Sequence, residues 1–284
     1  MSKLRIFFLT SFSLIAFAAN SLLCRFALKG TEIDASSFTS IRLFSGAITL
    51  WLLVCITQRQ TTISGNWKSA FALFVYAACF SFAYVGLTAA TGALLLFGAV
   101  QITMIGFGIW KGERLDFTKF FGIILAFGGL VYLLLPGISS PSLFSSVFMM
   151  IAGLAWGIYS LRGGRSKNPT ATTAGNFIRA VPFSIILNIV TLEKINIDSY
   201  GFLFAVLSGA LASGMGYAVW YSVLPFLKST KASVIQLIVP VIASLGGVIF
   251  IAEPLTLRIF VSSLFILFGI ALVIFDRFKA TLKS

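Results

Sequence analysis

One segment of this chain occurs twice, 140 positions apart. Gly92–Leu135 reads GALLLFGAVQITMIGFGIWKGERLDFTKFFGIILAFGGLVYLLL, and Ala232–Phe275 reads ASVIQLIVPVIASLGGVIFIAEPLTLRIFVSSLFILFGIALVIF. Superimposing them aligns Ile102 with Ile242, Gly106 with Gly246, Glu113 with Glu253, Phe120 with Phe260 and Gly129 with Gly269. Each copy is a pair of apolar runs broken by one short charged turn that holds a glutamate. A fixed offset near half the chain length is the mark of a duplicated unit. Nearer each half's start the offset is 137: Ile41-Arg42 matches Ile178-Arg179, Phe80 matches Tyr217, and Tyr84 matches Tyr221. The duplication therefore divides the chain into residues 1–137 and 138–284.

The apolar runs decide the class. Of 284 residues, 58% are hydrophobic and 10% charged, against about a quarter charged in soluble domains. Uncharged stretches of about 20 residues recur, each enough to cross about 30 Å of hydrocarbon as a helix. A membrane β-barrel needs alternation of apolar and polar residues, which continuous runs such as Ile123–Leu135 exclude. Net charge of +13 comes from short loops rather than from one basic face or arm, so nucleic acid is not an expected partner. Cys24, Cys55 and Cys79 lie scattered in apolar runs and histidine is absent, which leaves no metal site, no disulfide framework and no expected cofactor. Lys3, Arg5 and Ala16-Phe17-Ala18 imitate a signal peptide. The run stays apolar to Leu28, however, so it reads as a first span.

Ten spans are expected, at about 4–27, 38–57, 68–88, 91–110, 117–135, 143–161, 173–192, 200–226, 231–252 and 256–275. Basic residues in alternate connections number fifteen against four, the four being Arg25, Lys29, Lys194 and Arg258. Cytoplasmic loops retain Lys and Arg, which puts both termini inside. Five spans per copy turn the second copy upside down. The expected fold is an all-α integral membrane protein, with ten transmembrane helices as two inverted five-helix repeats around a central cavity. Inverted repeats are common among secondary transporters, with the substrate site between the halves near the midplane.

Polar groups at membrane depth are costly unless paired or facing water. Asn20, Gln101 and Gln236 lie mid-span, where an amide serves either a polar substrate or a neighbouring helix. Trp51, Trp67 and Trp110 fall at span ends, as interfacial rings do. Trp156 and Trp220 lie deeper, near Tyr159, Tyr217 and Tyr221 in sequence. Tyr217 and Tyr221 share a helix face, as do Phe80 and Tyr84, so two related aromatic faces could line a cavity or simply pack. Arg42 and Arg179 could pair with a substrate carboxylate, although snorkelling to headgroups is the simpler expectation. Glu113 and Glu253, at helix ends, read as structural. Gly122 with Ala126, Gly209 with Ser213 and Ala210 with Gly214 have the spacing of close helix packing. Pro225 and Pro240 could kink their spans. No acid lies mid-span, which favours facilitated movement over ion coupling, and no ATP-binding motif is present.

These residues resemble the EamA-type branch of the drug/metabolite transporter superfamily. The resemblance rests on Gly112-Glu113-Arg114-Leu115 after span 4, on Pro240 followed by Ala252-Glu253-Pro254-Leu255 around span 9, and on Leu154-Ala155-Trp156-Gly157 in span 6. Two departures stand out: Val100 where the family often has proline, and Ala19-Asn20 where it has Trp-Gly. The chain is most similar to bacterial inner-membrane amino-acid exporters of the YddG type. The resemblance implies a non-enzymatic exporter of aromatic and other neutral amino acids, working as a monomer in lipid. Its cavity would be formed by spans 1, 3 and 4 of each repeat, which agrees with Asn20, Tyr84, Gln101, Trp156, Tyr159, Tyr217 and Gln236 as substrate-binding candidates. A broad exporter of hydrophobic drugs or metabolites is the alternative.

Overall fold

The protein is described by a computed structural model covering residues 1–58, 63–110, 112, 117–135, 140–163, 168–223, 226–227 and 235–281. Its helices are α1 (Lys3–Gly30), α2 (Ala35–Gln58), α3 (Trp67–Gly86), α4 (Ala89–Trp110), α5 (Phe117–Leu134), α6 (Leu143–Gly163), α7 (Pro169–Val190), α8 (Ser199–Val223), α9 (Ile238–Ile251) and α10 (Leu257–Thr281). Seven of them, α1–α4 and α6–α8, are long and apolar enough to cross a bilayer; α5, α9 and α10 hold shorter apolar stretches. Side-chain oxygens start several of these helices by accepting first-turn N–H groups. Asn66 accepts from Ser69, Asn168 from Ala171 ahead of Pro169, and Asp198 from Tyr200 and Gly201.

The distribution of side chains is inside-out relative to a soluble protein. Phe8, Ile56, Phe127, Ile186 and Phe250 are all more than half exposed, while Asn20, Arg25, Arg42, Gln101 and Glu253 are buried. Only a lipid solvent makes that economical, since apolar surface there costs nothing and polar groups must be satisfied within the protein. Helix α4 sits deepest: every residue from Ala89 to Gln101 is buried, which matches a sequence that is apolar all round.

Helix pairing crosses the midpoint of the chain. α2 packs on α7, α5 on α10, α3 and α4 on α6, and α1 on α8 and α9. Small residues permit the closest approaches. A Cβ at Gly269 would lie 2.5 Å from the Gly122 carbonyl and the Ala126 nitrogen, and one at Gly129 would lie 2.8 Å from Phe265. These two glycines are the repeat-related positions of α5 and α10. The Gly122–Ala126 spacing thus serves helix packing. Pro240 falls in the first turn of α9, a position that tolerates proline, so it does not kink that helix. Pro225 and Glu113 lie outside the described residues.

The structure corrects the reading of Arg25 as a loop charge. Helix α1 continues to Gly30, so Arg25 lies within it, 7% exposed. Its Nε donates to Glu253 Oε1 at 2.8 Å, and its Nη1 donates to the Tyr84 and Val85 carbonyls at 2.8 and 3.1 Å. Glu253 Oε2 accepts from the Ala89 N–H at 2.7 Å. The pair therefore satisfies last-turn carbonyls of α3 and a first-turn N–H of α4, groups that a helix cannot satisfy internally. Local backbone geometry delivers the glutamate. Ala252 ends α9 in the left-handed region (φ 54°), and the Glu253 N–H returns to the Gly247 carbonyl at 3.0 Å. This closure turns the chain back under the helix end. Glu253 is thus structural, as expected.

Asp34 makes a second junction on the same side. Its Oδ1 accepts from Ser36 and Ser37 N–H groups and from the Ser36 hydroxyl, starting α2, while Oδ2 accepts from Asn196 N–H. Burial alone would raise its carboxyl pKa, but the hydrogen bonds from Ser36, Ser37 and Asn196 outweigh it and hold the value below the ordinary 3.8.

Two outcomes are expected. Removing one partner of the buried pair, by Glu253→Gln or Arg25→Met, should cost about 3–5 kcal/mol, and the double variant less than the two single costs summed; thermal unfolding in detergent measures both. Asp34→Ala should lose about 1 kcal/mol of capping. Because the folded-state pKa of Asp34 is depressed, the stability gap to the wild type should be complete at neutral pH and shrink as pH falls through that lowered pKa.

Candidate functional site

Helix α8 is continuous from Ser199 to Val223 but changes register. Ser208–Met215 is a π-helical stretch of sequence SGALASGM. Small side chains let neighbouring helices press close there: a Cβ at Gly209 would lie 2.2 Å from the Arg42 carbonyl. Inserted π turns are frequent at functional sites, and this one presents two hydroxyls inward. Ser208 donates to Asn20 Oδ1 at 2.7 Å, and Ser213 accepts from Arg42 Nε at 3.3 Å. Gly209 and Ser213 read in the sequence as helix packing alone; Ser213 also serves as a polar partner.

Tyr76 on α3 is the centre of this network. Its hydroxyl accepts from Asn20 Nδ2 at 3.3 Å and from Arg42 Nη2 at 3.0 Å. The rings of Tyr76 and Phe80 lie beneath the Arg42 guanidinium, with centroids 5.1 and 4.9 Å from Cζ, within cation–π range. Tyr76 was not singled out in the sequence. Its signal was nonetheless present, since Tyr76, Phe80 and Tyr84 recur every four residues and share one face.

Asn20, Tyr76 and Phe80 of this network line a small cavity of about 20 Å³ at the meeting of α1, α3, α4, α6 and α8. Phe17, Asn20 and Ser21 come from α1, Tyr76 and Phe80 from α3, and Leu96 and Phe97 from α4. Trp156 comes from α6, Ala212 and Tyr217 from α8, and Gln236 from just before α9. The indole of Trp156 lies 4.9 Å from both Tyr76 and Tyr217 and is stacked on Tyr159 at 5.5 Å. Phe17 closes on Tyr217 and Trp220 at 5.7 and 5.8 Å. A space of that size admits about one water, so the conformation is a collapsed one.

Of the candidates named from the sequence, the structure brings Asn20, Trp156, Tyr217 and Gln236 to the cavity wall. Tyr159 stands one ring behind, with its hydroxyl accepting from Asn176 Nδ2 at 3.4 Å. Tyr84 is buried away from the cavity, packed on Phe80 and over Gly92. Gln101 is buried in α4 and does not line the space. The two arginines part company. Arg42 is 1% exposed, so it does not snorkel. Arg179, midway along α7, is half-buried and donates to the Ser64 and Gly175 carbonyls at 3.1 and 2.9 Å.

A model of the EamA-like transporter family matches residues 143–275. A protein of Pseudomonas aeruginosa is 50% identical over 98% of this chain and 97% of its own length. The chain belongs to the EamA-like transporter family. It is similar to an uncharacterized transporter of Archaeoglobus fulgidus, 28% identical over 82% of this chain and 87% of that one. It is also similar to the uncharacterized transporter YoaV of Bacillus subtilis, 22% identical over 84% and 87%. A solved crystal structure with 16% identity superimposes with a TM-score of 0.68, covering 96% of this chain and 98% of the other, which shows the shared fold. The protein is therefore a multi-pass membrane transporter of a small molecule, and not an enzyme.

The transporter's central hydroxyl offers a direct check. Tyr76→Phe strips partners from both the Asn20 amide and the Arg42 guanidinium. It should destabilise the protein by about 1–3 kcal/mol, read as a lowered unfolding temperature in detergent.

Proposed function

We propose that this transporter exports aromatic and other neutral amino acids across the bacterial inner membrane, as a monomer with both termini cytoplasmic. The observation that carries this reading is the closed cavity itself. Amides from α1 and the start of α9 meet the faces of Tyr76, Trp156 and Tyr217 there. Amides suit the polar ends of an amino acid, and aromatic faces suit its side chain. Asn20, Trp156, Tyr217 and Gln236 would contact substrate directly. Tyr159, Tyr84 and Gln101 would act from behind the wall, and of the two arginines Arg42 is the better placed.

Alternating access would come from rocking of two inverted five-helix repeats, 1–137 and 138–284, about that cavity. Pairing of α2 with α7 and of α5 with α10, the repeat-related helices, supports such a pseudo-twofold arrangement. The collapsed cavity is then the occluded stage between two open ones. Orientation rests on the basic loops. With Arg25 counted inside the fold, their bias becomes fifteen against three. Among the described residues the cavity wall includes no carboxylate, which favours facilitated movement down the substrate gradient. A second reading, export of hydrophobic compounds, draws on an apolar groove of about 490 Å³ between α1, α8 and α9. It opens beside the cavity, and Ala212 borders both spaces.

Uptake of labelled phenylalanine, threonine and methionine into proteoliposomes, with and without a proton gradient, tests the proposal. Uptake that follows the amino-acid gradient alone is the expected result. Dependence on the proton gradient would overturn the facilitated mechanism and direct attention to Glu113 and Glu253. Failure of all three to enter vesicles shown to be competent would overturn the amino-acid reading in favour of hydrophobic compounds.

A further inference from the structure

Two arginines are buried among the described residues, and they are treated differently. Arg25 has a carboxylate at 2.8 Å. Arg42 is more deeply buried, yet among the described residues no acid pairs with it. Its partners are neutral: the Ser213 hydroxyl, the Tyr76 hydroxyl and two aromatic faces. Its Nη1 makes no hydrogen bond at all among the described residues. A guanidinium held at membrane depth without a counter-charge is costly. Replacing it by an apolar side chain would relieve that cost, so structure alone gives no reason for a charge here.

The cavity shares two of its neighbours. Tyr76 and Phe80, the two rings on which the guanidinium lies, are both part of the cavity wall. The remaining polar lining is neutral: Asn20, Ser21, Trp156, Tyr217 and Gln236. Among the described residues the site thus has one fixed positive charge beside its ring wall and no fixed negative charge facing it. An ammonium group entering this space meets only amides, hydroxyls and ring faces. A carboxylate, once Tyr76 turns aside, would meet a planar fork with a donor that has no partner among the described residues, the geometry that binds carboxylates by two parallel hydrogen bonds.

Resting on the reading of this cavity as the substrate site, we infer that Arg42 is its anion subsite and that the group the transporter recognises is a carboxylate. The substrate class is monocarboxylates with an apolar or aromatic body, and the α-amino group is dispensable. One carboxylate oxygen takes the place of the Tyr76 hydroxyl at Nη2, and the other supplies Nη1 with its missing acceptor. Tyr76 must turn aside for this, which opens the collapsed cavity and releases Asn20. Substrate charge and cavity opening are thereby coupled through one phenol.

The test compares three probes of one shape on the full-length protein in detergent: phenylalanine, 3-phenylpropanoate, which lacks the amine, and phenethylamine, which lacks the carboxylate. Binding is read as a ligand-dependent rise in unfolding temperature. Competition with labelled phenylalanine in proteoliposomes gives a second readout. Both carboxylates should bind and phenethylamine should not. Arg42→Met should weaken both carboxylates by about tenfold or more, the scale of a charge-assisted hydrogen bond, and Arg42→Lys by less. Arg42→Met removes an uncompensated charge at similar volume and so should fold, as its own unfolding temperature will show. Phenethylamine binding as well as 3-phenylpropanoate, or Arg42→Met binding both acids undiminished, would overturn the inference. Arg42-dependent binding of 3-phenylpropanoate with no binding or transport of phenylalanine would uphold the subsite and sink the amino-acid reading. Transport of phenylalanine blocked by phenethylamine and untouched by 3-phenylpropanoate would do the reverse.

Discussion

The buried pair of Arg25 and Glu253 is the constraint on which the arrangement of the helices depends. Helix ends within or near a membrane leave carbonyl and N–H groups that water cannot reach. Here one ion pair answers the need at several ends together. The guanidinium takes two carbonyls of α3, the carboxylate takes an N–H of α4, and the pair itself joins α1 to the end of α9. Each charge lies at the helix end that its sign suits, negative at an N-terminus and positive at a C-terminus. The register of α1, α3, α4 and α9 is set at that end, and with it the lining of the cavity further along the same helices.

Nearer the middle of the bundle the chemistry reverses. Arg42 is held by hydroxyls and rings rather than by an acid, and the π-helical stretch of α8 brings Ser208 and Ser213 to the two sides of the Asn20–Tyr76–Arg42 network. Where the first junction leaves no buried atom without a partner among the described residues, this one retains an unused donor. Saturated junctions make rigid walls, and unsaturated ones are the places where a ligand can compete with the protein's own contacts. The contrast separates the part of the bundle built to hold from the part able to rearrange, as a carrier that exposes its site to each side in turn requires.

Much of this was legible in the chain. Apolar runs of spanning length located the helices because in lipid the backbone must satisfy itself locally, and local rules can be read from local sequence. The duplicated segment foretold kinship between α5 and α10, and the glycines at its equivalent positions prove to be where those helices meet. Asn20, Trp156, Tyr217 and Gln236 were found because polar and aromatic groups at depth are conspicuous in an apolar background. Tyr76 was missed because it is one more ring in a stretch rich in them. Arg25, inside the expected first span but near its end, was counted with the loop charges and Arg42 was expected to snorkel, because reaching the headgroups is the ordinary fate of an arginine near a span's end.

The amino-acid sequence by itself determined that this is a helical membrane protein, where its seven long apolar helices begin and end within a few residues, and that its polar residues at depth must be paired or in use. Tertiary structure alone decided which of them are paired and which are in use. Arg25 and Glu253 are 228 positions apart, and Arg42 and Ser213 are 171. No local pattern couples residues so distant. The cost of a charge in a membrane depends on what packing sets beside it: a carboxylate for Arg25, and for Arg42 two aromatic rings at the back of a cavity.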